Sequence, residues 1–190
     1  MTAICAEKST IVRPVLESEG DQVVDAVFAG LSLRSRLLRF HSPIRVLSPA
    51  LRRVLLPIDG RRRIAVAAWH GTEPLGIARV TVIGPGVADI AVAVVDAWQR
   101  RGVGRRLVTA AGELAEQAGI TELQGAVLPE NRAMLELVRR LFPLALRRFD
   151  GDVVQLRIPI GAAAWTITHE DLLADLTGPY SRTTVASINP

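Results

Sequence analysis

The chain has 190 residues, of which 49% are apolar, and its formal net charge at pH 7 is +4. This length favours one domain over residues 1–190, and no apolar run is long enough to cross a membrane. Cys5 is the only cysteine, which excludes an internal disulfide, and no signal peptide opens the sequence, so we expect a cytoplasmic protein.

The first part of the chain predicts an edge strand, helical segments and a hairpin. The expected order is a strand over 10–15, a helix over 17–30 with Ser18 as its N-cap, a second helix over 31–40 and a helical turn over 47–56. Two β-branched runs, 64–70 and 75–83, then read as an antiparallel hairpin joined by Gly-Thr-Glu-Pro.

The most informative stretch follows this hairpin. Residues 88–95 are small or β-branched apart from Asp89, which favours a strand buried on both faces. Gly102 and Gly104 come next, at the start of a helix whose apolar positions recur at three- and four-residue spacing. The first N–H groups of a helix have no intrahelical partner and bind anions, and glycine lets an anion approach the backbone closely.

Four arginines add positive charge to this turn: Arg100, Arg101, Arg105 and Arg106. The combination predicts a pyrophosphate-binding loop, although two glycines after a strand also fit a plain strand-to-helix turn. The three histidines lie far apart in sequence, and we expect no metal site.

The last part of the chain predicts a strand, a helix and a second hairpin. The expected order is Gly119 at the end of the preceding helix, a strand over 121–128, a helix reaching Phe142, and a hairpin over 144–160 that turns at Asp-Gly. A short helix over 168–176 and a tail over 179–190 complete the prediction. Strand, helix and strand in succession imply that the central strand and the 121–128 strand run parallel.

Two segments resemble a known family. Residues 90–104 read Ile-Ala-Val-Ala-Val-Val-Asp-x-x-Gln-x-x-Gly-x-Gly, which resembles motif A of the GNAT acyltransferase superfamily. Residues 28–43 read Phe-Ala-Gly-Leu-Ser-x-x-Ser-Arg-x-x-Arg-Phe-x-Ser-Pro, similar to the acetyltransferase domain of bacterial Pat-type protein lysine acetyltransferases. The resemblance spans about residues 10–160 and leaves 161–190 as a C-terminal extension. It implies an α/β (α+β) fold with a mixed, mostly antiparallel sheet, a parallel splayed strand pair and flanking helices.

The resemblance also implies acetyl-CoA as the acyl donor. Backbone groups of the central strand would contact the pantetheine and the thioester carbonyl, and the loop after it would hold the pyrophosphate. Asn131 matches an asparagine near the pantetheine arm, and a helix N-cap is a comparably good interpretation of it. The implied cofactor-binding residues are Val92, Ala93, Val94, Gln99, Arg100, Arg101, Gly102, Val103, Gly104, Arg105 and Asn131.

The catalytic groups are less complete. Asp89 is the candidate general base, because it is the one carboxylate of the central strand and burial would raise its pKa; bonding to turn amides is the alternative. Many family members carry a tyrosine after a leucine on the later helix, but here the pair is Leu137-Val138. Tyr180 is the only tyrosine, so either solvent protonates the departing thiolate or the domain binds acyl-CoA without efficient turnover.

These observations favour an acetyl-CoA-dependent N-acetyltransferase acting on a primary amine, with a protein lysine preferred over a small amine. The alternative is a catalytically weak acyl-CoA-binding regulatory domain. A nucleic-acid partner is a distant third, because aromatic residues are only 4% of the chain and its arginines are scattered. A sheet of this kind can pair edges in a homodimer, and the sequence leaves the oligomeric state open.

Overall fold

The computed structural model describes residues 10–161. The strands are β1 Ile11–Pro14, β2 Arg63–His70, β3 Glu73–Gly84, β4 Val87–Val94, β5 Glu122–Val127, β6 Leu146–Asp150 and β7 Val153–Pro159. The α-helices are α1 Gly20–Ala29, α2 Leu33–Phe40, α3 Pro49–Leu55, α4 Val103–Gln117 and α5 Arg132–Leu141. Short 3₁₀ turns occupy Glu17–Glu19 and Asp96–Trp98.

The seven strands form one sheet in the order β1-β2-β3-β4-β5-β7-β6. Every neighbouring pair is antiparallel except β4 and β5, which run parallel because α4 provides the crossover between them. This confirms the predicted mixed, mostly antiparallel sheet with one parallel pair and flanking helices. The Asp-Gly turn also lies where it was expected, with Gly151 at φ 58° between β6 and β7.

The start of α1 differs from the prediction. Ser18 lies inside the 3₁₀ turn, and the N-cap of α1 is Glu19. The Glu19 carboxylate accepts a hydrogen bond from the Leu16 N–H at 3.0 Å and forms an ion pair with Arg13 at 2.6 Å. These contacts hold residues 17–19 in a tight turn, so the α-helix begins one residue after Glu19.

The core lies on both faces of the central strands. On one face α4 packs against β2, β3 and β4, where Leu107, Val80 and Ala88 are at most 1% exposed. On the opposite face α1 packs against β3 through Val23 and Val27. The helix and tail predicted over 168–190 lie outside the described residues, and none of the helices within residues 10–161 is long and apolar enough to span a membrane.

Candidate active site

The site is organised around the place where β4 and β5 separate. β4 pairs with β3 along its whole length, but it pairs with β5 only from Val87 to Asp89. A Cβ added at Gly125 of β5 would lie 3.3 Å from the Ile90 carbonyl oxygen, so the two strands approach closely there before they separate. Beyond it, no strand within residues 10–161 pairs with the β5-facing edge of β4, and the backbone groups of that edge can pair with a ligand in an extended conformation.

Three predicted cofactor residues lie on this separated half of β4. Val92, Ala93 and Val94 pair with Ala78, Ile77 and Gly76 of β3, and all three are partly exposed. A Cβ added at Gly76 would meet the Ala93 carbonyl oxygen at 2.7 Å and Leu107 of α4 at 3.0 Å. The packing of α4 on one face of the sheet therefore holds this half of β4 in place.

The loop after β4 has the backbone conformation that an anion site needs. Arg100 and Gly102 adopt left-handed conformations, at φ 58° and 79°, and Gly102 is the N-cap of α4. The first intrahelical acceptor is the Gly102 carbonyl, which receives the Arg106 N–H at 3.2 Å. The N–H groups of Val103, Gly104 and Arg105 therefore have no intrahelical partner and lie at the positive end of the helix dipole. These three residues were predicted to contact a pyrophosphate, and their amides fit one.

The arginines of this turn extend the positive charge into solvent. Arg100, Arg101, Arg105 and Arg106 are exposed, and within residues 10–161 none of them takes part in an ion pair. The guanidinium carbon of Arg101 lies 5.2 Å from the centre of the Trp98 ring, which positions that side chain beside the loop.

Gln99 has a different role from the loop amides. Its side-chain Nε2 lies 3.0 Å from the Val94 carbonyl oxygen, 3.2 Å from Asp96 Oδ1 and 3.2 Å from Ser35 Oγ. This amide joins the end of β4, the 3₁₀ turn and α2. Gln99 was predicted to hold the pyrophosphate, which stays a prediction; in the structure its side-chain amide is hydrogen-bonded within the protein.

Asn131 caps α5. Its Oδ1 accepts the Met134 N–H at 3.2 Å, so the N-cap interpretation is confirmed. Further along α5, a Cβ added at Gly104 would lie 3.7 Å from Leu137 Cδ2, which places α5 beside the first turn of α4. Val138 is 3% exposed and packs in the core, so this position offers neither a hydroxyl nor access to the opening between β4 and β5.

Asp89 lies just before β4 and β5 separate, opposite Thr81 of β3 and Gln124 of β5. Asp89 is exposed, so the expected burial is incomplete, yet the surrounding protein desolvates the carboxylate enough to raise its pKa, as predicted. The positive charges of Arg39 and Arg79 oppose this shift. Within residues 10–161 Asp89 makes no hydrogen bond to a turn amide, so that alternative finds no support in the described part of the chain.

Two arginines beside Asp89 were not predicted. Arg79 is 7% exposed, and its Nη2 donates to the carbonyl oxygens of Val54 at 3.3 Å and Pro57 at 3.4 Å. Arg39 projects from α2, which packs on β4, and its guanidinium carbon lies 4.9 Å from the Phe40 ring centre. Burial, followed by the charge of Arg79, lowers the pKa of Arg39 to about 10. A charged residue inside the otherwise apolar run 75–83 was the sequence signal for Arg79.

The fold of this chain is similar to that of several solved acyltransferase structures. The GNAT domain of S. lividans PAT is 27% identical, with 78% of this chain and 89% of that chain covered and a TM-score of 0.70. The cAMP-binding acyltransferase from Mycobacterium smegmatis is 24% identical with a TM-score of 0.55; the match covers 88% of this chain and 48% of that chain. YncA of Salmonella typhimurium, a putative acetyltransferase solved with acetyl-CoA, is 12% identical with a TM-score of 0.57, and the match covers 80% and 93% of the two chains.

The sequence itself matches the profile of the Acetyltransferase (GNAT) family over residues 36–142, more than half of the chain. That range begins in α2, includes all of β4, the loop after it and α4, and ends just after α5. The chain therefore belongs to the GNAT family of acetyltransferases.

Proposed function

We propose that this protein transfers an acetyl group from acetyl-CoA to a primary amine, and that a protein lysine is the preferred acceptor. The observation that carries the proposal is the set of free amides at Val103, Gly104 and Arg105 beside the separated half of β4. A pyrophosphate on these amides places the attached pantetheine along the open edge of β4, at Val92 to Val94. YncA, which was solved with acetyl-CoA, supports the choice of donor.

The acceptor preference rests on residues 28–43, whose sequence resembles Pat-type protein lysine acetyltransferases. In the structure this segment forms the end of α1 and all of α2. α2 lies on the Asp89 side of the sheet, whereas α4 lies on the other side. An acceptor that approaches from the α2 side meets Asp89 before it reaches the opening between β4 and β5.

Acetyl-CoA supplies an acetyl thioester that an uncharged amine attacks. Asp89 accepts the proton that the amine must lose, and its raised pKa brings it closer to the range useful for a general base. Because Asp89 lies three residues before Val92, about 10 Å along the strand, the proton reaches it through water. As the C–S bond breaks and the amide forms, the nitrogen loses its second proton to water. Val138 is buried and has no hydroxyl, so the departing thiolate takes its proton from solvent.

Buried Val138 also favours a second candidate, a domain that binds acyl-CoA and turns it over weakly. The two functions are separated by incubating the protein with acetyl-CoA and lysine-containing peptides, then measuring released CoA thiol and acetylated peptide by mass spectrometry. The proposal predicts equal amounts of both products at many turnovers per protein. Tight acetyl-CoA binding with no acetylated amine would contradict the transferase function and support the binding domain.

A further inference from the structure

The face of the sheet that carries Asp89 holds a row of polar residues. Successive register partners across five strands are Arg63 on β2, Thr81 on β3, Asp89 on β4, Gln124 on β5 and Arg157 on β7. Residues opposite one another share a face, so these side chains form one line, which we call the polar row. The opposite face of β2, β3 and β4 is apolar and covered by α4.

Positive charge dominates the β2 side of the polar row. Arg39 and Arg79 are close enough to Asp89 for their charges to act on its pKa. The pKa of Arg79 is itself lowered, first by burial and second by the positive charge of Arg63. Two guanidinium groups therefore act directly on the one carboxylate, and the third, Arg63, lies beyond Arg79. A cationic amine that approached Asp89 alone would meet a net positive field.

The nearby carboxylates offset only part of this charge, because Asp59 lies beside two arginines, Arg62 and Arg63. Asp59 Oδ1 accepts the backbone N–H groups of Arg61, Arg62 and Arg63 at 2.7 to 2.9 Å, and these bonds keep the pKa of Asp59 low. On the other side of Asp89, Glu122 forms an ion pair with Arg157 at 2.8 Å. Each of these carboxylates is already used within the protein.

Arg63 borders a shallow pocket that is open to solvent. The pocket has a volume of about 300 Å³ and is lined by Asp59, Arg62, Arg63, Thr81 and Val82. Within residues 10–161 neither Arg62 nor Arg63 takes part in an ion pair. Arg63 and Asp89 lie on strands that are separated by β3, so their backbones are about 10 Å apart. The long side chain of Arg63 can bring its guanidinium group closer to Asp89 than this.

We propose that the acceptor of this enzyme is a primary amine that carries a carboxylate, which binds Arg63 in this pocket while the amine faces Asp89. The inference rests on the proposed acetyl transfer and specifies its substrate class. The carboxylate offsets the positive field and forms a charge-assisted hydrogen bond with a guanidinium that has the planar geometry for it. A lysine flanked by acidic residues and a small amino acid both have this chemistry.

The test uses acceptors that differ only in the carboxylate. One pair is the blocked peptides Ala-Asp-Lys-Asp-Ala and Ala-Asn-Lys-Asn-Ala, and the other is γ-aminobutyrate and γ-aminobutyramide. For wild-type protein we expect kcat/KM to be about tenfold or more higher for the acidic member of at least one pair. A preference confined to the peptides identifies a protein lysine as the source, and one confined to γ-aminobutyrate identifies a small amine.

Arg63→Gln should reduce this preference to nearly equal rates for the two members of the pair. Arg148→Gln is the matched control, because it makes the same charge change on the exposed edge strand β6 and should keep the preference. Turnover with no preference for the acidic member, or a preference that survives Arg63→Gln, would overturn the inference and leave acetyl transfer intact. Failure to acetylate any of the four amines, with acetyl-CoA bound, would instead contradict the proposed function and the inference together.

Discussion

The two sides of β4 are built for different tasks. The side that faces α4 is apolar and tightly packed, with Ala88 buried and Gly76 of β3 pressed against the Ala93 carbonyl. The side that faces α2 carries Asp89 near the positive charges of Arg39 and Arg79. Under the proposed function, one strand serves a transferase in two ways: rigid packing fixes its backbone on one side, and the other side keeps a carboxylate accessible for proton transfer.

The largest expected effect comes from removing the charge on the polar side. Asp89→Asn keeps the size of the side chain but cannot accept a proton, so kcat/KM should fall by about 10²- to 10⁴-fold. Steady-state kinetics with varied amine at saturating acetyl-CoA measure this loss. Acetyl-CoA affinity should stay within about threefold of wild type. The proposed pyrophosphate amides lie at the start of α4, beyond the opposite end of β4 from Asp89.

Asp150→Asn is the control for Asp89→Asn, because it makes the same change at an exposed position of the edge strand β6. It should retain most of the activity. Full turnover by Asp89→Asn would show that another group, or water alone, accepts the proton.

The apolar side should respond in stability rather than in proton transfer. In Gly76→Ala the new methyl group would meet the Ala93 carbonyl oxygen at 2.7 Å, so β3 and β4 must move apart to accommodate it. We expect this to lower the free energy of unfolding by about 1–3 kcal/mol. Denaturant unfolding followed by circular dichroism gives this value.

Gly84→Ala on the same strand is the matched control, because a Cβ there meets no atom within 4 Å. Its unfolding free energy should stay within about 0.5 kcal/mol of wild type. Equal stability of the two variants would contradict the tight packing behind β4.

The smallest effect is a shift in pH dependence. The base must be deprotonated, so kcat/KM falls as the pH drops through the pKa of Asp89. A positive charge at Arg39 favours the carboxylate and holds that pKa down, so Arg39→Met should move the acidic limb of the profile to higher pH. The profile of kcat/KM against pH measures the shift.

Arg34→Met makes the same substitution at an exposed position of α2 and should leave the limb in place. A shift of the limb to lower pH in Arg39→Met would show that Arg39 does not act on the base through its charge.

Much of the frame of this site is readable from sequence, because its signals are local. The β-branched run, the glycine loop and the periodic helix predict β4, the turn and α4 to within a residue or so. Backbone conformations at Gly102 and Gly151 follow from glycine in turns. Asn131 was equally well interpreted as a cap or as a ligand, and only the structure shows its bond to Met134.

The charged surroundings of Asp89 were not predictable in the same way. Arg39 lies 50 residues earlier in the sequence and reaches Asp89 only because α2 packs on β4. Gln99 is predicted to contact the pyrophosphate because it belongs to the motif. Its side-chain amide also hydrogen-bonds to Val94 of β4 and Ser35 of α2, which the motif does not indicate. Tertiary packing determines both outcomes, and no local pattern encodes it.

The central claim is that the free amides at the start of α4 bind the pyrophosphate of acetyl-CoA. Gly104→Glu tests it most directly, since a Cβ there makes only ordinary contacts and an acidic residue in the first turn suits the helix dipole, so the fold should survive. Thr109→Glu makes the same charge change at an exposed position further along α4. In calorimetric titrations with acetyl-CoA we expect wild type and Thr109→Glu to bind with micromolar affinity, about 8 kcal/mol, and Gly104→Glu to lose about 100-fold or more. Equal affinity in Gly104→Glu and Thr109→Glu would contradict the claim.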